Sequence, residues 1–374
     1  MGYRVVSGLM TALACLLWSS PLIAQEKSDL PVVETLLSCG KDCKSATDPK
    51  PDNEHTTKYP GVVLTGFVMD DRMRNGPMPD ALVLLRATVT KDGILKDPKV
   101  VRLIGASKFA EAALESVKDW RYQPATRGGV PVDRPNWEIK VPFVSHISDA
   151  ISNSDIALFG QASALSAEGK HTDAIAKLLP VLSKLDLTFY ERETVSLQLA
   201  IDYAQQGDLL SAREYLDDIA LIGDRYLAKE QRPNFWRMLA LINAKTGQLV
   251  EAKQAFSVLN AIQPVAADDP LAKLAQAADQ KMHNDKLLTA TGRIAKASGL
   301  PSWSHYLMRH NFTFVKVSGK LDRLSIWCGE RLLESAFSDK AEWHIPKDWS
   351  LCRLDVYGDP GATFTLAEMD DSPS

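Results

Sequence analysis

The chain has 374 residues, of which 45% are hydrophobic and 24% charged, with a formal net charge of -4. That length calls for two or three cores rather than one. The charge balance lacks the basic excess of a nucleic-acid binder, so no nucleic-acid partner is expected.

Residues 1–24 begin with one cation, Arg4, followed by an apolar stretch over 5–17, then Pro21 and the small Ala24 ahead of Gln25-Glu26-Lys27. This is the layout of a cleaved secretory signal peptide. Two alternatives stay open. Residues 5–24 are about long enough to cross a bilayer as a retained anchor, and Ala12-Leu13-Ala14-Cys15 is a degenerate lipid-attachment site. Export leaves Cys39, Cys43, Cys328 and Cys352, an even number, and an oxidising compartment favours disulfides. Sequence distance favours pairing Cys39 with Cys43 and Cys328 with Cys352; the second loop is worth about 3 kcal/mol by chain entropy. A metal site built from all four cysteines is the rival, although Cys-x3-Cys departs from the usual knuckle spacing.

Residues 25–58 are rich in Lys, Asp, Pro and Ser without a sustained period and read as an exposed linker, with a local loop at Cys39 to Cys43. From 82 to 90 the residues alternate, with Val83, Leu85, Ala87 and Val89 on one face and Arg86, Thr88 and Thr90 on the other, as in a half-buried strand. Asp92-Gly93 supplies a hairpin turn and 94–103 the returning strand, with Pro98 confined to an edge or a bulge. Residues 108–120 change period: Phe109, Ala113, Val117 and Trp120 form one helical stripe. After Gly128-Gly129, Trp137, Ile139, Val141 and Phe143 alternate again. The expected module is strand, strand, helix, strand: one helix over a small antiparallel sheet.

The residues of this stretch are similar to a known family. Val89-Thr90-Lys91-Asp92-Gly93, Asp97-Pro98-Lys99-Val100-Val101, Phe109-Ala110-Glu111-Ala112-Ala113-Leu114, Trp120-Arg121-Tyr122-Gln123-Pro124-Ala125 and Pro131-Val132-Asp133 resemble the TonB C-terminal domain, over roughly 59–145. The resemblance implies a periplasmic module that captures a short segment of another protein by adding it to a sheet edge. The pairing edge would then be the last strand, Glu138, Ile139, Lys140, Val141 and Phe143, with Trp120 and Tyr122 packing helix on sheet. Family members exchange strands between copies, so a homodimer is a further expectation. A full transducer of this family needs a retained membrane helix and a long Pro- and Lys-rich spacer. Residues 25–58 carry only scattered prolines and reach on the order of 100 Å even when stretched.

Three segments beginning at Glu168, Gln206 and Thr246 repeat a Gly-x4-Ala pattern at spacings of 38 and 40 residues. Such a period signals stacked helical hairpins. Residues 156–187, 191–221 and 233–262 each read as two amphipathic helices, with Gly169, Gly207 and Gly247 ending the first and Ala174, Ala212 and Ala252 at the close approach. They resemble tetratricopeptide repeats, which implies a groove for a second protein; a spacer is the plainer alternative. A last helix over 271–297 is expected to cap the array. Beyond it, strands are expected over 312–317, 324–328, 331–337, 342–345, 351–357 and 363–368. Cys328 shares a face with Leu324 and Ile326, and Cys352 with Leu354 and Val356. Trp303, Trp327, Trp343 and Trp349 form either a glycan- or peptide-stacking surface or a compact core.

Enzyme signatures fail on context. Ser38-Cys39-Gly40-Lys41 lies in a linker, and Lys245-Thr246-Gly247 is a repeat turn. His305 and His310 diverge by about 140° around a helix, and no His-Glu-x-x-His, Gly-x-Ser-x-Gly or phosphate loop occurs. No enzyme activity, cofactor or metal is expected. The reading is an α+β multidomain chain: signal peptide 1–24, linker 25–58, TonB-like strand-strand-helix-strand domain 59–148, tetratricopeptide-like helical array 149–298 and all-β domain 299–374. Its expected role is a periplasmic protein-binding adaptor. An inner-membrane energy transducer and a wall- or glycan-binding protein are the alternatives.

Overall fold

The computed structural model describes residues 48–51, 79–144, 151, 153–184, 186–295, 302–329 and 331–370. The signal stretch, Cys15, Cys39, Cys43 and the Ser38 motif lie outside these residues, and their expected roles with them. Chain order begins with a two-residue strand β1 (Lys50–Pro51), then β2 (Ala81–Val89), β3 (Leu95–Ile104), helix α1 (Lys108–Ser116), the short strands β4 (Tyr122–Gln123), β5 (Ala125–Arg127) and β6 (Val130–Val132), and β7 (Arg134–Phe143). β2 is central in a three-stranded antiparallel sheet of order β3-β2-β7. The alternation read from the sequence places Val83, Leu85, Ile139 and Val141 on one face, where they bury against Phe109, Ala113 and Val117 of the α1 region. The Phe109 and Phe143 rings lie 5.0 Å apart. Trp120 and Tyr122 close the same core. The linker reading needs one correction: Lys50–Pro51 pairs antiparallel with Tyr122–Gln123, and Arg134 donates to Asp48. Extended residues beside an unpaired strand gain backbone hydrogen bonds there, so this part of the linker is tacked to β4 in a two-stranded pair beside the main sheet.

Seven helices follow: α2 (Asn153–Ala167), α3 (His171–Leu182), α4 (Phe189–Gln205), α5 (Leu209–Ile222), α6 (Arg232–Thr246), α7 (Leu249–Ile262) and α8 (Pro270–Asn284). The chain reverses between α2 and α3, α4 and α5, and α6 and α7 at Gly169, Gly207 and Gly247, whose φ values of 76°, 80° and 86° suit a residue without a side chain. Ala174, Ala212 and Ala252 are buried, as close helix approach requires. Thr188 and Glu191 form a capping box at the start of α4.

α8 ends at Asn284, short of the helix expected to 297, and β8 (Leu287–Arg293) begins three residues later. In Leu288-Thr289-Ala290-Thr291-Gly292 the small and β-branched residues alternate buried and exposed, a strand period that the preceding helical stripe masked. Gly292 is required, because a Cβ there would sit 2.4 Å from the Phe364 ring. β9 (Ser302–Tyr306), β10 (Asn311–Ser318), β11 (Leu321–Cys328), β12 (Arg331–Ala336), β13 (Glu342–His344), β14 (Cys352–Gly358) and β15 (Thr363–Met369) complete a sandwich. Its sheets have the orders β13-β10-β15-β8 and β12-β11-β14-β9. Between them lie Phe312, Phe314, Phe364, Trp303, Trp343, Ile326 and Leu354. Cys328 and Cys352 stand directly opposite on β11 and β14 and are joined by a disulfide.

The three parts are braced against one another. Asp80 caps α4 by accepting from Phe189 N at 2.8 Å, Leu82 and Ile104 bury against Phe189 and Tyr226, and Arg102 pairs with Asp218. Helices meet sandwich at the glycine turns, where Arg293 pairs with Asp208. His305, 2% exposed, lies between Glu251 at 3.0 Å and Glu368 at 3.1 Å. Burial pushes its imidazole down, but the two carboxylates override this and raise it to about 10, so it is a cation donating to both.

Candidate protein-interaction site

β7 is an edge strand: β2 pairs one side of it, and among the described residues no strand pairs the other. Of its sequence-predicted residues, Ile139, Val141 and Phe143 are 4%, 3% and 4% exposed and belong to the core under α1. They hold the strand in register, Val141 opposite Val83 and Ile139 opposite Leu85. Proline inside a strand keeps its nitrogen on the unpaired side. Pro142 therefore faces outward, and by alternation so do the peptide groups of Glu138 and Lys140. The unpaired row is short. Pro142 lacks a donor, and Asn136, at φ 59°, lies in the register break between Ala87 and Val89.

Lys140 is exposed, whereas Glu138 is engaged inside the molecule. Arg353 Nη2 on β14 donates to Glu138 Oε1 at 2.7 Å and Nη1 to Oε2 at 3.1 Å, and Arg86 Nη2 donates to Oε1 at 2.8 Å. Arg353 also donates to Asp355, and the Arg86 guanidinium lies 3.7 Å over the Trp327 ring. Burial raises the Glu138 carboxyl, but the Arg353 and Arg86 charges and hydrogen bonds outweigh it and hold the group at about 2. The outer face of the β3-β2-β7 sheet is thus stacked on the outer face of β12-β11-β14-β9 through a charged layer. The sandwich covers the face of β7 and leaves its rim unpaired by any described strand.

Residues 80–144 match the family model of the Gram-negative bacterial TonB protein C-terminal domain. Searches of curated proteins and of solved structures return no match. The matched segment runs from Asp80, which caps α4, to the end of β7 and omits both the helices and the sandwich. The TonB family is associated with the Gram-negative envelope and with protein interaction, and that coarse role attaches to this sheet. No helix among the described residues is long and apolar enough to cross a membrane.

Sequence reasoning missed Arg353, Asp355 and the mutual placement of Glu138 and Arg86. Arg86 was legible as a side chain on the outer face of β2. Arg353, which joins it on Glu138 from 215 residues further along the chain than that carboxylate, left no local pattern. The tryptophans resolve toward packing: Trp303 and Trp343 are in the sandwich core and Trp327 is buried beneath Arg86, while Trp349 packs half-buried beside Arg331.

Proposed function

We propose that the protein is a non-enzymatic adaptor of the Gram-negative periplasm that captures an extended segment of another protein on the outer rim of β7. The observation that carries the reading is an edge strand, within a TonB-type sheet, whose outward peptide groups at Glu138 and Lys140 have no strand partner among the described residues. Backbone pairing supplies affinity, and the exposed Lys140 contributes charge to the choice of partner. The helices α2 to α7, read as tetratricopeptide-like hairpins, hold a second protein. An adaptor is favoured over an energy transducer because the sheet is braced against both the helices and the sandwich. A glycan platform loses support from the burial of Trp303, Trp327 and Trp343.

The test compares Lys140→Pro with Lys140→Ala in an envelope crosslinking and pull-down assay, with near-UV circular dichroism as the fold control. Proline removes an outward donor without breaking the ladder to β2, and alanine removes only the charge. Loss of a discrete partner with proline but not alanine supports the reading; identical partner sets in all three proteins reject it.

A further inference from the structure

The turn from α5 to α6, residues 223–231, joins the helices to the TonB-type sheet. It makes a short 3-10 helix over Asp224–Tyr226 and is held by Leu227 N donating to Asp224 O at 3.1 Å and Gln231 N donating to Ala228 O at 2.8 Å. Its Tyr226 ring stands 4.9 Å from that of Phe189 and buries beside Leu82 of β2 and Ile104 of β3. The turn therefore forms one wall of the contact that seats the sheet on the helices.

Behind this turn, on α4, lies Glu193, 0% exposed. Neither of its carboxyl oxygens accepts a hydrogen bond from the described residues. The Leu227 amide that faces it is already committed to Asp224 O. Burial without donors penalises the ionised carboxyl and spares the acid form.

The surrounding charges are engaged elsewhere. The turn presents Asp224 and Arg225 to Glu193, and α6 presents Arg232. Asp224 accepts from Trp236 Nε1 at 2.8 Å, and Arg225 donates to the Tyr226 hydroxyl at 2.7 Å. Arg232 donates to Leu227 O at 3.3 Å and to Arg225 O at 2.7 Å. On α4 itself Glu191 belongs to the capping box, and Arg192 faces Asp218 of α5, which pairs with Arg102. α5 also brings Arg213, paired with Asp217. Asp155 of α2 pairs with Lys184, and His171 of α3 with Asp202. The sheet contributes Asp80, which accepts from Phe189 N. Burial, followed by Asp224, keeps the Glu193 carboxyl protonated well above the usual range.

We propose that Glu193 makes the 223–231 turn a proton-sensitive latch between the helices and the sheet. With the acid protonated, the turn closes over it and Tyr226 is held beside Leu82 and Ile104. Loss of the proton favours a locally open turn, in which the carboxylate reaches water and Tyr226 is released. In the open turn the carboxyl ionises near 4.5, and in the closed turn only at higher pH, so closing takes up a proton between the two values. Across that window the closed turn loses ground by about tenfold per pH unit. The latch is tight in acid and slackens toward neutrality. It acts on the brace behind the sheet and is independent of what β7 captures.

The test is native-state amide hydrogen exchange of the full chain, read by mass spectrometry with the intrinsic pH dependence of exchange divided out. In the wild type, protection over 223–231, where Leu227 and Gln231 carry the bonded amides, should fall roughly tenfold between pH 5 and pH 6. Glu193→Gln, neutral at both pH values, should keep its pH 5 protection at pH 6, with near-UV circular dichroism as the fold control. Peptides from α7 and β11 should show no such loss in either protein, and in the wild type this comparison stands without the variant. A wild-type turn whose protection does not move with pH, a variant that retains the wild-type slope, or an equal loss in α7 and β11, which would make the opening global, would each overturn the proposal.

Discussion

Glu138→Gln isolates the charged layer between the TonB-type sheet and the sandwich. In the folded chain the Glu138 carboxyl sits at about 2 against 4.5 for the free group. That displacement corresponds to roughly 3 kcal/mol, trimmed to about 2 kcal/mol by the solvent that reaches a side chain 29% exposed. Because the folded value is depressed, the contribution is fully present above 4.5 and is lost as pH falls toward 2. Glutamine keeps the shape and one acceptor but not the charge. Urea unfolding at pH 7 should therefore show the variant less stable by about 2 kcal/mol, and the gap should narrow by about 1 kcal/mol at pH 3.5. In an Arg353→Leu background the same substitution should cost less than half as much, since its main partner is gone. A gap under about 0.5 kcal/mol at pH 7, or one that does not change with pH, would refute the account.

Three further outcomes are expected. His305 is raised above its ordinary value, so its contribution is complete below 6.5 and lost as pH rises through about 10; in urea unfolding followed by circular dichroism, His305→Gln should be less stable than the wild type at pH 6.5, and the gap should close as pH is raised toward 10. Replacing Cys328 and Cys352 together by Ser, which opens a loop of sequence separation 24, should lower stability by about 3 kcal/mol in denaturant titrations and loosen the pairing of β11 with β14. Glu193 in α4 is fully buried, and burial, followed by Asp224, pushes its carboxyl well above the usual range. Glu193→Gln should therefore stabilise the protein at pH 7 by about 1 kcal/mol or more in thermal unfolding, with the advantage vanishing as pH is lowered to 4.5, where the unfolded carboxyl takes up its own proton.

Much of the architecture was legible because it is written in local periods. Val83 to Val89 alternate, Phe109 to Val117 follow the helical stripe, and Gly169, Gly207 and Gly247 each punctuate a helix pair, and all of these elements appear where the pattern puts them. The strands β10 to β15 likewise follow their alternation, and Cys328 meets Cys352 across two of them. What stayed hidden is what depends on distant neighbours. β8 and β9 are short and rich in Ser, Thr and Gly, and only Phe364 explains why position 292 must be Gly. The charge on Glu138 reads as an ordinary surface residue until Arg353 arrives from the sandwich, and His305 reads as an isolated histidine until Glu251 and Glu368 close around it. On β7 the alternation correctly marks Ile139 and Val141 as inward, so an edge argued from side chains alone points at the wrong groups: the outward ones are the peptide groups of Glu138 and Lys140.

The bracing of the β3-β2-β7 sheet also has a mechanical side. A strand laid along β7 and tugged lengthwise loads its hydrogen bonds together in shear, and the load passes through Glu138 to Arg353 on one flank and through Asp80 to the start of α4 on the other. Three strands by themselves would peel apart; here the anchorage extends over the sandwich and the helices, so the captured thread should let go before its holder deforms.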